Sequence, residues 1–150
     1  MSRDFPEQRI HLGAYGFCRD SAGRLLLARA FKGPDHGAWT LPGGGIQWGE
    51  DPRQAVMREM EEETGLVDLK IISIAAIYSH IYHPVQDDPL SNLHHVGIIY
   101  HLDLDSYDLK NEIDGTTDLC QWLMEGEARA LPLTPLGKFS VNLAWPPDDK

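Results

Sequence analysis

The sequence predicts a layered α/β or α+β domain built around a mixed sheet. Three observations carry that reading. Stretches with strand patterning alternate loosely with helical ones, and at least one pair of strands reads as a hairpin. The 150 residues, 42% hydrophobic and 24% charged, suit one soluble domain with a real core, spanning 1–150 with a frayed tail from about 144.

Residues 11–19 alternate enough, through Leu12, Tyr15 and Phe17, to read as a strand. Asp20-Ser21-Ala22-Gly23 is a turn, and residues 24–30, with Leu25-Leu26-Leu27, read as a buried strand that completes the hairpin. A loop over 31–38 leads to Trp39-Thr40-Leu41-Pro42 and the glycine cluster Gly43-Gly44-Gly45. The next helix is well marked. Asp51 suits the N-cap, Pro52 the first helical position, Gln54 a capping-box partner and Gly65 the stop, so the helix runs from Pro52 to Thr64. Residues 70–81 and 96–104 read as strands around a long polar loop, 83–95, of a length often tied to function. A short strand is expected over 118–124 and a last helix from Thr134-Pro135.

The helix over Pro52 to Thr64 carries its charge in an unfavourable place. Arg58-Glu59-Met60-Glu61-Glu62-Glu63 loads carboxylates into the last turns, where the helix dipole is already negative. Glu59 and Glu63, four apart, add like-charge repulsion. On a helical wheel Glu59, Glu62 and Glu63 share one side, with the small Ala55 a turn earlier, while Val56, Met57 and Met60 form an adjoining apolar face. Arg58 lies beside Glu62 and is placed to fork onto a carboxylate, and Glu61 points away. A dication turns the repulsion into attraction. Clustered carboxylates suit Mg2+ or Mn2+, which share themselves with substrate phosphates, so the chemistry indicated is attack of water on a phosphoanhydride. The plain alternative is a solvated acidic face.

Gly44, Glu50, Arg58-Glu59-Met60, Glu62-Glu63, Gly65 and Leu66 stand at spacings that resemble a complete Nudix box, about one-sixth of the chain. The resemblance implies an α/β/α sandwich with a mixed sheet, and hydrolysis of a nucleoside diphosphate linked to another moiety: ADP-ribose-like, dinucleoside polyphosphate, or NTP and dNTP. It implies Mg2+ or Mn2+ held by Glu59, Glu62 and Glu63 with the carbonyl of Gly43. It gives Arg58 the task of orienting a glutamate and Glu50 that of bracing loop and helix. The general base is then Glu62, Glu63 or an acid of a later loop, with Glu112 the first choice and Asp114 and Asp118 its rivals. A homodimer is a common arrangement in such proteins, and Tyr82 or Pro84 falls near a position that varies with substrate.

Other features limit the choice. The net charge of -10 disfavours a nucleic acid polymer as partner, though small anionic nucleotides remain suitable. No apolar stretch is long enough to span a membrane and no signal peptide is visible, which with two scattered cysteines suggests the cytoplasm. His80, His83, His94 and His95 match no zinc spacing, although His94 or His95 is a candidate for phosphate or base contact. Trp39, Trp48, Tyr78 and Tyr82 are candidates for base stacking, and Arg9, Arg29 and Lys32 for phosphate contact. Two other classes compete with an enzyme: a nucleotide-sensing module that binds without cutting, and an interaction domain whose acidic helix meets a basic partner.

Overall fold

A computed structural model describes residues 7–30, 35–109 and 117–148. In chain order these form β1 (Arg9–Phe17), β2 (Leu25–Ala30), β3 (Trp39–Thr40), β4 (Gly43–Gly45), α1 (Pro52–Thr64), β5 (Leu69–Ile81), β6 (Leu93–Leu104), β7 (Thr117–Leu123), α2 (Glu125–Arg129) and α3 (Pro135–Ala144). One sheet has the order β4-β1-β6-β5. It is mixed, since β1 runs parallel to β6 and antiparallel to β4, and β5 runs antiparallel to β6. The second sheet, β3-β2-β7, is antiparallel.

The sheets and helices enclose two cores. β2 feeds both, because successive residues point to opposite faces. Leu25 and Leu27 join Tyr15, Phe17, Tyr78 and the apolar residues of α3, while Leu26 and Ala28 join Ala14 and the α1 residues Ala55, Val56 and Met60. α1 therefore lies on β1, β4 and β7, and α3 on β2, β3 and β5. The expected layered α/β architecture with a mixed sheet is what the chain forms.

α1 has the expected bounds. Asp51 caps it, although its side chain accepts from Arg53 N at 2.8 Å rather than from Gln54. Gly65 ends it at φ +75°, and its N–H returns to Glu61 O at 3.0 Å. Three differences lie elsewhere. The strands expected to form a hairpin over 11–19 and 24–30 part into different sheets: β1 pairs with β4 and β6 and β2 with β3 and β7, and only the bridge of Arg19 with Leu25 and the bond from Leu26 N to Cys18 O join them at the turn. The long polar loop expected over 83–95 is shorter. Tyr82 and Leu93 already pair by a 2.8 Å backbone bond, so His94 and His95 belong to β6. Also, Glu125–Arg129 forms a short helix, closed by the Glu127 carboxylate on Met124 N, where no helix was expected.

Candidate active site

The strand β4 and the helix α1 meet through glutamates. Gly43 N donates to Glu63 Oε2 at 2.9 Å, and Glu63 is buried. One residue on, a Cβ on Gly44 would stand 2.7 Å from the Glu59 carboxyl carbon. Glycine alone leaves that space, so two carboxylates end on adjacent residues of one strand. Gly43 itself has φ +144°, and a Cβ there would lie 2.3 Å from the Ala14 carbonyl oxygen.

Arg58 organises the other side. The expected fork onto a carboxylate closes on Glu50, with Nε 2.9 Å from Oε2 and Nη2 3.0 Å from Oε1. Nη1 reaches Glu59 Oε1 at 2.9 Å, and Nη2 also donates to Gly45 O at 3.1 Å. Glu62 is a looser partner, 3.5 Å from Nη1 with its side chain 51% exposed. Hydrogen bonds from Arg58 and from Gln47 N hold the Glu50 carboxyl down at about 2. Burial pushes the Glu59 carboxyl up, and Arg58 opposes this only in part.

Glu50, Glu59 and Glu62 thus share one arginine. Among the described residues, no three His, Cys, Asp or Glu side chains already form a cage for an ion. The donor set nevertheless fits a hard dication. It is oxygen only, Glu59 occupies the space that Gly44 leaves, and the Glu62 carboxylate is half exposed and only loosely held by Arg58. Glu112, Asp114 and Lys32 lie outside the described residues, as does the side chain of Asp118.

A second group of residues adjoins this corner. Pairing of β1 with β6 and of β6 with β5 sets His11, His95 and His80 in one cross-strand row. The Tyr15 hydroxyl shares a hydrogen bond with His95 Nε2 at 2.6 Å. Burial, then the charges of Glu63 and Glu59, hold that phenol protonated, and burial lowers His95 to about 4. The Tyr15 ring also lies where a Gly43 Cβ would fall, so it connects the glutamate corner to the histidines. Tyr78 sits edge-on to His95 with ring centres 5.3 Å apart, and His80 meets Tyr82 at 4.6 Å. Tyr78 is buried, and among the described residues its hydroxyl is the one buried side-chain polar atom without a hydrogen-bond partner.

Sequence reading missed His11 and Tyr15 here. Their only signal is alternation along one strand; the parallel neighbour that gives them meaning is 80 residues away. Of the other candidates, His94 bonds Ser79 Oγ at 2.8 Å, and Arg9 donates to the carbonyls of Ser91 and Pro89. Trp39 is buried, while Trp48 is fully exposed on the loop before α1.

The profile of the NUDIX domain matches residues 9–141, from the first described strand into the last helix. The chain belongs to the Nudix family. A curated relative, an ADP-ribose pyrophosphatase of Methanocaldococcus jannaschii, is 32% identical over 111 residues, which are 72% of this chain and 62% of that one. An RNA pyrophosphohydrolase of Acidiphilium cryptum is 46% identical over 66 residues, or 43% of this chain and 39% of that one. The matched stretches therefore span less than two thirds of these curated Nudix relatives. The crystal structure of a MutT NUDIX hydrolase from Burkholderia pseudomallei superposes with a TM-score of 0.72 at 24% identity, covering 90% of this chain and 98% of that one. That likeness shows the Nudix fold.

Proposed function

We propose that this Nudix chain is a divalent-metal-dependent pyrophosphohydrolase acting on a nucleoside diphosphate linked to another moiety, with ADP-ribose-like compounds as its first substrate class. One observation carries the reading: buried Glu63 accepts from Gly43 N while partly buried Glu59 fills the space beside Gly44, so two carboxylates of α1 end side by side on β4. Glu59, Glu62, Glu63 and the Gly43 carbonyl would hold Mg2+ or Mn2+, which neutralises phosphate charge and makes water a better nucleophile when bound.

The chain's own groups do the rest. Arg58 fixes Glu59 while its fork on Glu50 anchors the loop before the helix. The oxygen of water attacks one phosphorus, the anhydride P–O bond breaks, and the proton of the water passes to a carboxylate. Glu62, half exposed and loosely paired, is available for that proton. The His11, His95 and Tyr78 face would take the nucleoside end, because it offers neutral rings and one unsatisfied buried hydroxyl.

The choice of substrate class draws support from the relative bearing the name ADP-ribose pyrophosphatase, whose match covers most of the chain. The match to the RNA pyrophosphohydrolase covers 43%. The net charge of -10 also opposes a polymer of phosphates. The buried thiols Cys18 and Cys120, not joined to each other in a disulfide, suit a reducing compartment such as the cytoplasm.

The test is incubation with ADP-ribose, dinucleoside polyphosphates and nucleoside triphosphates in Mg2+, reading products by mass. AMP and ribose 5-phosphate from ADP-ribose are expected, with loss of turnover in Glu63→Gln. A folded parent that binds ADP-ribose and never cleaves any of the panel is a sensing module instead. A Glu63→Gln variant with full turnover removes the proposed role of the glutamates.

A further inference from the structure

The histidine row across β1, β6 and β5 is more than a neutral wall. No spacing along the chain announces it as a ligand set, because strand register and not sequence brings His11 beside His95. His80 continues the row in register, but its ring turns to Tyr82, 4.6 Å away, and lies parallel to Tyr78. His11 and His95 instead meet each other, with ring centres 5.3 Å apart and planes tilted by 50°. Two imidazoles on one tetrahedral ion, with metal–nitrogen bonds of about 2.0–2.1 Å, put their ring centres about 5 Å apart. The pair already has the separation of a chelate.

Both rings are held in place. The His11 ring fills a gap beside β4, where a Cβ on Gly45 would stand 3.0 Å from its Cε1. The His95 ring is flanked edge-on by Tyr15 at 5.5 Å and by Tyr78 at 5.3 Å. The Tyr15 hydroxyl, 2.6 Å from His95 Nε2, bears on the chemistry. When Nε2 carries the ring proton it donates to the Tyr15 oxygen, and the lone pair is left on Nδ1. An oxygen partner on the far nitrogen is what orients a metal-binding histidine and fixes its tautomer. Neither ring has to shed a proton at neutral pH, since burial lowers both, His95 to about 4. The charges of Glu63 and Glu59 are felt at Tyr15, so the surroundings favour a cation.

Imidazole nitrogen suits Zn2+, Ni2+ and Cu2+, whereas the oxygen corner suits Mg2+ and Mn2+. The two donor sets therefore sort ions by softness. We propose that His11 and His95 together bind one transition-metal ion of the zinc, nickel or copper class, with its remaining positions open to water, and that this ion competes with the nucleoside end of the substrate. The site stands on the pair alone; the competition rests on the assignment of this face to the nucleoside.

Calorimetric titration with Ni2+ tests the site without recourse to turnover. It is run on the full chain carrying Glu59→Gln with Glu63→Gln, which takes the oxygen corner out of the measurement. One Ni2+ per chain is expected. Affinity should fall about tenfold or more when His11→Gln or His95→Gln is added, since the remaining imidazole loses a neighbour already in place. His94→Gln, whose ring bonds Ser79 instead, should leave it unchanged. His11→Gln decides the matter if His95→Gln, which disturbs Tyr15, does not fold. In the parent, Ni2+ added to excess Mg2+ should raise KM for ADP-ribose severalfold at constant kcat, and His11→Gln should abolish that sensitivity. Should the chain cleave nothing, the titration still reads the site. A double variant that binds no Ni2+, or binds it equally well after His11→Gln, overturns the site. Ni2+ that lowers kcat at constant KM overturns the competition.

Discussion

Arg58 holds Glu50 by a two-pronged fork, 2.9 and 3.0 Å, and with its remaining nitrogen touches Glu59 at 2.9 Å. The arginine therefore joins the loop before α1 to a carboxylate in the middle of it. Arg58→Lys keeps the charge but not the planar fork. Activity in Mg2+ should fall about 10- to 100-fold, the usual loss when an outer-shell partner of a metal ligand is removed. The metal requirement should rise in the same variant, which a Mg2+ titration of initial rate would read.

Gly44→Ala and Gly43→Ala should fail in different ways. At Gly44 the new methyl meets the end of the flexible Glu59 side chain, which can swing aside. The melting temperature should barely change while the Mg2+ concentration for half-maximal rate rises severalfold. At Gly43 the methyl meets the rigid backbone oxygen of Ala14, at a φ of +144° that side chains rarely adopt. That variant should lose about 2 kcal/mol of stability or more, seen as an earlier urea midpoint.

Mg2+ or Mn2+ should stabilise the fold in a saturable manner, by about 2.7 kcal/mol at a hundredfold excess over its Kd. The double variant Glu59→Gln with Glu63→Gln should show no such rise in a melting scan. An interaction domain with a merely solvated acidic helix would give parent and double variant the same curve.

Stability should depend on pH through His95. Burial lowers its pKa from the ordinary 6.5 to about 4. The unfolded chain then takes up a proton in that window that the folded chain refuses. Stability is complete above about pH 6.5, and this share of it is lost as pH falls toward 4. The Glu50 carboxyl, held at about 2 against an ordinary 4.5, extends the loss further into acid. Urea midpoints from pH 4 to 7 should therefore rise and then level, and His95→Gln should flatten the upper part of the curve.

The signals that proved readable in the sequence were local ones. The bounds of α1 follow from Asp51, Pro52 and Gly65, which act within a turn of themselves, and the convergence of Glu59 and Glu63 follows from helical spacing. What stayed hidden depends on distant partners. Nothing near Tyr15 announces that β1 will lie parallel to β6, so the bond to His95 had no local trace. His94 and His95 look like loop residues because polar side chains dominate there, yet strand pairing with β1 and β5 claims them. Which carboxylate takes the fork of Arg58 was not legible locally, because Glu50 is a loop residue that the fold brings in, while Glu62, one turn along the helix, is held only loosely. The short helix α2 is opened by a bond from Met124 N to the Glu127 carboxylate, which a propensity reading of Glu125–Arg129 passes over.

Tyr15 leans on Gly43 with one edge and grips His95 with its hydroxyl. A single ring is thereby wedged between the place where the anhydride would be cut and the place where the nucleoside would be recognised. Descendants of this chain that retune what they accept at His95 would disturb Tyr15, and through it the strand that steadies Glu63. Innovation in substrate choice should therefore collect farther out, at His80 and Tyr82, where a change leaves the cutting end untouched.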